Sequence, residues 1–167
     1  MKTIYLIGFM GAGKTTVGKA LGRYMSVPVF DTDEVIERKE QLTINAIFEQ
    51  YKEAYFRELE TKILQEIPTE NAVVTTGGGI VCKHENRIFL NNNGVVIFLY
   101  ADEDEIVKRL EQDESRPLLK GDKKEKIVEL YGERLPIYKE AADYLIDTTG
   151  KEINEIVKEI SICLNLS

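Results

Sequence analysis

The sequence predicts an α/β fold, in which a five-stranded parallel sheet is flanked by helices on both faces. Short apolar, β-prone runs alternate along the chain with helical patterns, and strands separated by helices form mainly parallel sheets covered on both sides. Glycines or acids follow the first three runs, where ligands bind in such sheets. The five predicted strands lie in TIYLI (3–7), VPVFDTD (27–33), NAVVTTGGG (71–79), GVVIFLYA (94–101) and DYLID (143–147).

The segments between these runs repeat apolar residues at three- and four-residue steps, which is typical of amphipathic helices. The clearest patterns cover residues 44–63, 103–111, 126–142 and 153–164, and Pro136 interrupts the third. Asp102 with Glu105, and Thr149 with Glu152, have the spacing of helix capping boxes. The polar stretch around residues 112–124 fits either a mobile lid or an ordinary surface loop.

Length and charge limit the class of protein. A chain of 167 residues predicts one domain (1–167), and a net charge of -7 argues against non-specific nucleic-acid binding. Two scattered cysteines and one histidine do not form a convincing zinc site. The first apolar run is too short for a signal peptide or a membrane span. We therefore expect a cytoplasmic protein that contacts neither membrane nor nucleic acid. We also expect a monomer, since the sequence leaves no long apolar seam unassigned.

The stretch GFMGAGKTT (8–16) joins the first strand to a helical pattern and matches G-x-x-x-x-G-K-[ST]. Its glycines let consecutive N–H groups form an anion-binding nest, and the following helix directs its positive end at the same point. Lys14 can reach the β- and γ-phosphates, and the Thr15 hydroxyl can ligate Mg²⁺. The motif predicts a nucleoside triphosphate site. The chain lacks the Asn-Lys-x-Asp stretch of GTPases, which favours ATP.

Asp31 and Asp33 end the second predicted run. Alternate residues of a strand share a face, so both carboxylates are expected on one side of the sheet. One of them is expected near Mg²⁺, directly or through water, and the other is expected to accept a hydroxyl proton from a substrate. The alternative is a polar strand end that caps the next helix.

Several further residues are candidates for the acceptor side. Arg57 and Arg134 would hold a carboxylate if both faced one pocket, because the guanidinium fork makes two parallel hydrogen bonds. Each alone is a common solvated charge. The run Gly77–Gly79 allows a ligand to approach the backbone closely, although a structural turn also explains it. Arg116, in the candidate lid, would neutralise charge on the transferring phosphate if the lid swings onto it.

The segments GFMGAGKTTVGKALG, FDTDEVIE, FRELE, VVTTGGGIV, SRPLL and ERLPIYKEAADY together resemble the shikimate kinase family, in order, over residues 4 to 150. The resemblance implies a fold like that of nucleoside monophosphate kinases. It also implies transfer of the ATP γ-phosphate to the 3-hydroxyl of shikimate, with Mg²⁺, on the route to chorismate and the aromatic amino acids. An acceptor-binding helical region is expected around residues 33–62.

The resemblance also assigns roles to residues. Asp33 would bind the shikimate hydroxyls and accept the proton, and Asp31 would support the Mg²⁺ held by Thr15. Arg57 and Arg134 would hold the carboxylate. Ring contacts are assigned to Gly78 and Gly79. Residues assigned to ATP are Gly11, Ala12, Gly13, Lys14, Thr15, Thr16, Arg109, Arg116 and Lys151, of which Lys151 departs from the family pattern at the adenine end.

Three other functions fit parts of the sequence. A gluconate kinase would share the phosphate loop and the acidic strand end, and a nucleoside monophosphate kinase is a second enzyme alternative. Neither explains why FRELE, TTGGG and ERLPIY occur together. A nucleotide-dependent switch would need no small acceptor. Preference among shikimate, gluconate and AMP separates these functions.

Overall fold

The structure, a computed structural model, describes residues 1–111 and 122–166. In this part of the chain, five strands form one sheet in the order β2-β3-β1-β4-β5, and every pair is parallel. The predicted α/β fold and all five predicted strands are confirmed. The strands are β1 (Thr3–Ile7), β2 (Val29–Asp31), β3 (Val73–Thr75), β4 (Gly94–Tyr100) and β5 (Tyr144–Asp147).

Helices connect these strands, as parallel pairing requires. Several begin at side-chain caps: Asp31 accepts hydrogen bonds from the first turn of α2, Thr43 from that of α3, and Asp102 from that of α5. The described helices are α1 (Lys14–Met25), α2 (Thr32–Glu40), α3 (Ile44–Glu66), a short 3₁₀ helix (Ile80–Cys82), α4 (His84–Asn93), α5 (Glu103–Leu110), α6 (Lys123–Ala141) and α7 (Ile153–Cys163).

Two hydrophobic cores lie on opposite faces of the sheet. On one face, α1 and α7 bury Val17, Leu21 and Ile160 against β1, β3, β4 and β5. On the other face, α2 to α6 pack around a larger cluster that includes Phe56 and Tyr138. Each fully buried large side chain contributes about 1.5–3 kcal/mol of transfer free energy. These cores fix the carboxyl ends of β1, β2 and β3 side by side.

Two helix predictions need correction. The helix predicted over 126–142 begins at Lys123 and continues through Pro136, because buried Tyr131 and Tyr138 on either side anchor it to the core. The capping box of α7 is Glu152 with Glu155, since the Thr149 hydroxyl instead accepts a hydrogen bond from the Asp102 amide. Residues 112–121 of the lid segment lie outside the described residues.

Helix α3 contains a kink at Lys52, where φ is 71° and ψ is 174°. L-residues rarely adopt this conformation, and glycine adopts it without strain. The kink divides α3 into two helical parts, and both parts contribute side chains to the same side of the sheet. Among the described residues, no helix has the length and apolar character needed to cross a bilayer.

Candidate active site

The phosphate loop follows β1 and leads into α1, as the sequence predicts. Gly8, Gly11 and Gly13 have positive φ values of 153°, 82° and 92°, which explains the requirement for glycine at these turns. The Lys14 ammonium donates hydrogen bonds to the carbonyl oxygens of Gly8 (2.6 Å) and Phe9 (2.9 Å). The lysine therefore arches over its own loop, at the positive end of α1.

A cleft of about 650 Å³ opens above this loop and is called the phosphate cleft here. It brings together five of the residues predicted to contact the ATP phosphates with both predicted acids. Its lining residues are Met10, Gly11, Gly13, Lys14, Thr15, Thr16, Asp31, Asp33, Thr76, Gly77 and Gly78. The loop and the end of β2 thus form one concave surface.

Asp31 is the last residue of β2, and its carboxylate accepts four hydrogen bonds. Its Oδ2 accepts hydrogen bonds from the hydroxyls of Thr75 (2.8 Å) and Thr15 (3.2 Å). Its Oδ1 accepts from the amides of Asp33 (3.0 Å) and Glu34 (3.1 Å), so it caps α2. The capping alternative considered for this strand end is therefore also present, alongside a position beside the phosphate loop.

Contrary to the prediction from strand alternation, Asp33 does not lie on a strand with Asp31, because β2 ends at Asp31 and Asp33 belongs to the first turn of α2. The helical turn still directs both carboxylates into the phosphate cleft. Strand periodicity fails here because the Asp31 cap starts the helix at Thr32, immediately after the strand.

The Thr15 hydroxyl and the Asp31 carboxylate fit a magnesium ion. Both are hard oxygen donors, they lie 3.2 Å apart, and both line the phosphate cleft. Within residues 1–111 and 122–166, no group of three or more histidine, cysteine or acidic side chains is arranged to hold a metal. Two protein oxygens suit Mg²⁺, which keeps several waters and binds substrate phosphates.

A second cleft, of about 450 Å³, adjoins the first and is called the acceptor cleft. Arg57 projects into it from α3 and Arg134 from α6, and their side chains are largely buried. The hypothesis that both arginines face one pocket is supported by this geometry. The apolar part of the wall comes from Met10, Ile44, Phe48 and Phe56.

The glycine run forms the floor of the acceptor cleft. A side chain at Gly79 would collide with the Arg57 guanidinium, at 2.5–2.7 Å from an ideal Cβ. A side chain at Gly77 would meet Glu60 Oε2 (2.7 Å) and Asp33 Oδ1 (2.9 Å). The run is therefore required for close approach to the charged groups. The Gly78 carbonyl accepts a hydrogen bond from the buried Tyr138 hydroxyl, which ties the floor to α6.

Glu60 is a site residue that the sequence interpretation missed. It is 1% exposed, and its Oε1 accepts a hydrogen bond of 2.6 Å from Arg57 Nη1. Burial raises the pKa of Glu60 to about 7, and Asp33 adds to the rise, whereas Arg57 and Arg134 oppose it. The i,i+3 spacing of Arg57 and Glu60 in FRELE was the available signal. The partly exposed Glu53 also accepts from Arg57.

A third cleft, of about 540 Å³, lies on the other side of the phosphate loop and is called the base cleft. It is lined by Gly11, Ala12 and Gly13 together with Arg109, Lys151 and apolar residues of α1 and α7. Arg109 Nη1 donates to the Gly11 carbonyl (2.9 Å). Lys151 forms an ion pair of 2.7 Å with Glu159. Both adenine-side candidates therefore lie beside the loop, and Arg116 lies outside the described residues.

Comparison with known proteins identifies the family. A family model for shikimate kinase matches residues 10–165. The shikimate kinase of Bacillus cereus (strain G9842) is 42% identical over 166 residues, which cover 99% of this chain and 100% of that protein. The shikimate kinase of Bacillus cytotoxicus is 44% identical over 160 residues, 96% of each chain.

A solved structure agrees with the sequence comparisons. The shikimate kinase from Acinetobacter baumannii in complex with shikimate superposes with a TM-score of 0.94 at 38% identity, covering 99% of this chain and 94% of that chain. The fold, the adjoining clefts and the full-length matches lead to one conclusion. This chain belongs to the shikimate kinase family.

Proposed function

We propose that this protein transfers the γ-phosphoryl group of ATP to the 3-hydroxyl of shikimate, giving shikimate 3-phosphate and ADP. The observation that carries the proposal is that the phosphate cleft and the acceptor cleft share four lining residues: Met10, Asp33, Gly77 and Gly78. An acid held by the two buried arginines therefore lies directly beside the triphosphate site. The Acinetobacter baumannii relative, solved with shikimate, supports this acceptor.

The nucleotide is held along the phosphate loop. The amides of Gly11 to Thr16 and the Lys14 ammonium face the phosphates, and their positive character opposes the net charge of -7 of the chain. The adenine occupies the base cleft beside Arg109 and Lys151. This places the γ-phosphate toward the end of the phosphate cleft that contains Asp33.

Shikimate is held in the acceptor cleft by its carboxylate and its ring. Arg57 and Arg134 bind the carboxylate, the apolar wall packs on the ring, and Gly78 and Gly79 contact the ring hydroxyls from below. Arg134 is 5% exposed and its guanidinium lies 5.9 Å from the centre of the Phe9 ring. A guanidinium fixed in this way aligns its ligand with little loss of entropy.

In the transfer step, the 3-hydroxyl oxygen forms a bond to Pγ while the bond from Pγ to the β,γ-bridging oxygen breaks. Asp33 accepts the hydroxyl proton, and ADP carries away the electron pair of the broken bond. Phosphoryl transfer asks mainly for alignment and charge neutralisation. Lys14 supplies positive charge at the phosphates, and we propose the same role for Arg116 in a lid around residues 112–124.

Mg²⁺ bound by Thr15, with Asp31 in support, would neutralise charge on the β- and γ-phosphate oxygens. The hydrogen bond between the two side chains fixes the Thr15 hydroxyl toward the cleft. The second hydrogen bond to Asp31, from Thr75, holds the carboxylate in place. A cytoplasmic location and a monomeric state remain part of our proposal.

The test is ADP release from Mg-ATP by the purified protein with shikimate, gluconate or AMP as acceptor. We expect a saturable rate with shikimate alone. Equal or greater acceleration by gluconate or AMP would identify a different acceptor, while the assignment of the phosphate loop would stand. No acceleration by any acceptor, in folded protein that binds ATP, would reject the kinase reaction itself.

A further inference from the structure

The acceptor cleft contains a balanced set of four ionisable side chains. Asp33 and Glu60 are acids, and Arg57 and Arg134 are bases, so the fully ionised set has no net charge. Arg134 and Glu60 are almost completely buried, at 5% and 1% exposure. A charge brought into this cleft is therefore poorly screened by water, and an anionic ligand leaves one negative charge in excess.

Glu60 is the member of the set with the weakest solvation. Its Oε1 accepts from Arg57 Nη1 at 2.6 Å. Its Oε2 is buried and has no hydrogen-bond partner among the described residues. The same oxygen and Asp33 Oδ1 both point toward Gly77, at 2.7 Å and 2.9 Å from where a Cβ on that residue would lie. An ionised Glu60 thus places negative charge on an oxygen that has no hydrogen-bond donor and that lies close to a second carboxylate. A proton on Oε2 removes both the unsolvated charge and the repulsion from Asp33.

We infer that binding of the acid acceptor is coupled to the uptake of one proton by Glu60. The inference rests on the proposed function, since it requires a ligand carboxylate on Arg57 and Arg134. The proton comes from the solvent and converts the Glu60 carboxylate to the neutral acid. Oε1 continues to accept from Arg57, so the guanidinium stays in position. Because the neutral acid no longer balances its positive charge, the guanidinium can pair with the ligand carboxylate.

Charged groups on three elements face Glu60. Arg57 lies on its own helix, Asp33 on α2 and Arg134 on α6. The segment between β3 and the 3₁₀ helix contributes only the backbone of the glycine run. Tyr138 on α6 also borders the cleft, and burial raises the pKa of its hydroxyl far above physiological pH. Its charge therefore does not change between pH 6 and 9.

The sign of the pH dependence follows from the state of Glu60 in the free protein. Burial raises the pKa of this carboxyl to about 7, so it is ionised at pH 8 and largely neutral below pH 6. The ligand anion raises it further. Acid affinity is consequently constant below about pH 6 and falls above about pH 7, by up to about tenfold per pH unit.

The experiment is titration calorimetry of the full-length protein with shikimate at pH 8, in HEPES and in Tris, which differ in ionisation enthalpy. The dependence of the binding enthalpy on buffer gives the number of protons taken up. We expect about 0.5–1 proton at pH 8 and close to none at pH 5.5. The methyl ester of shikimate, which has no carboxylate, should bind more weakly and without proton uptake.

Two variants locate the proton. Glu60→Gln imitates the neutral acid, so its shikimate affinity should not change between pH 6 and 8.5. Glu53→Gln, the matched control on the same helix and also a partner of Arg57, should keep the proton uptake, because Glu53 is 51% exposed. A merely structural role of Glu60 would weaken binding equally at every pH.

The outcomes separate this inference from the proposed function. Tight binding of shikimate at pH 8 without proton uptake overturns the inference and leaves the function intact. Proton uptake that persists in Glu60→Gln also overturns it, since another group then takes the proton. If shikimate fails to bind at any pH, both are rejected. Even if Glu60→Gln does not fold, the wild-type buffer dependence and the ester decide whether the ligand carboxylate brings about proton uptake, and absence of uptake overturns the inference.

Discussion

The phosphate cleft and the acceptor cleft adjoin each other, yet they are built in different ways. One continuous stretch, Met10–Thr16, provides six of the eleven residues that line the phosphate cleft. The charged groups of the acceptor cleft come from three helices, α2, α3 and α6. The first binds with backbone amides and one lysine, and the second with buried, paired side chains. A local motif can therefore be recognised in sequence, whereas the second cleft exists only after folding.

The largest effect is expected from Lys14→Ala, at the centre of the phosphate cleft. Loss of the ammonium that we propose faces the transferring phosphate should reduce kcat by about 10³-fold or more. Because Lys14 is only part-buried, the melting temperature should change little. Steady-state kinetics and thermal unfolding check this, with the exposed Lys19→Ala as control. A kcat within tenfold of wild type would contradict the role of the loop.

Asp33→Asn tests an ionisable residue that lines both clefts. The amide has the shape of the carboxylate but does not accept the hydroxyl proton, so kcat should fall by about 10²–10³-fold. The neighbouring Glu34→Gln, on the same turn of α2 and exposed, is the matched control and should have nearly normal kinetics. An unchanged kcat in Asp33→Asn would assign the proton to another group and confine Asp33 to binding.

Arg57→Lys should separate the two clefts kinetically. Lysine keeps the charge but loses the planar fork, which contacts Glu53 and Glu60 and which we propose binds the ligand carboxylate. Loss of a charged hydrogen bond of about 1.5–3 kcal/mol raises the KM for shikimate about 10- to 100-fold, with the KM for ATP within threefold. Arg38→Lys, an exposed arginine of α2, should change neither. A rise confined to the KM for ATP would contradict the assignment of Arg57 to acceptor binding.

The same contrast explains which parts of the fold were predictable. The strands were recognised because buried parallel strands are continuous apolar runs, and the two-faced core follows from their alternation with helices. Helix ends were less predictable, because they depend on tertiary contacts. Pro136 stays inside α6 on account of buried neighbours, and the Thr149 hydroxyl is used by Asp102 rather than by a cap.

At the site, the residues of the loop were predicted from spacing alone, since their chemistry is local. Arg57 and Arg134 could be named from the sequence only as candidates that would act together if both faced one pocket, because they lie 77 positions apart and their spacing does not bring them together. The family resemblance assigned both to one carboxylate. Glu60 was missed because a glutamate on a helix is ordinarily a solvated charge. Only the packed structure shows that it is buried behind Arg57.

A smaller effect is expected at the base cleft. Arg109 donates a single hydrogen bond to the Gly11 carbonyl and is partly exposed, so Arg109→Ala should raise the KM for ATP about fivefold. The KM for shikimate should remain within twofold. The adjacent exposed Lys108→Ala is the control, and initial rates at varied ATP are the measurement. A larger effect on shikimate than on ATP would remove Arg109 from the nucleotide side.

The smallest effect concerns backbone strain. Residues with positive φ differ between the two clefts. Positive φ values in the phosphate loop fall on glycines, whereas the kink of α3 places Lys52 at φ 71° and ψ 174°. Relief of about 1–3 kcal/mol of strain exceeds the entropic cost of glycine, so Lys52→Gly should stabilise the protein by about 1 kcal/mol. That corresponds to a melting temperature about 2–4 °C higher.

The matched control for this prediction is Lys62→Gly, on the regular part of the same helix. There glycine relieves no strain and should destabilise the protein by about 1 kcal/mol, the opposite sign. Both lysines are exposed, so the pair isolates backbone conformation from charge. Phe48 and Phe56 lie on either side of the kink and both line the acceptor cleft. Because glycine keeps the kink, the KM for shikimate of Lys52→Gly should stay within twofold. Destabilisation by both variants would show that the α3 kink stores no strain, and that glycine acts at both positions only through the entropy of the unfolded chain.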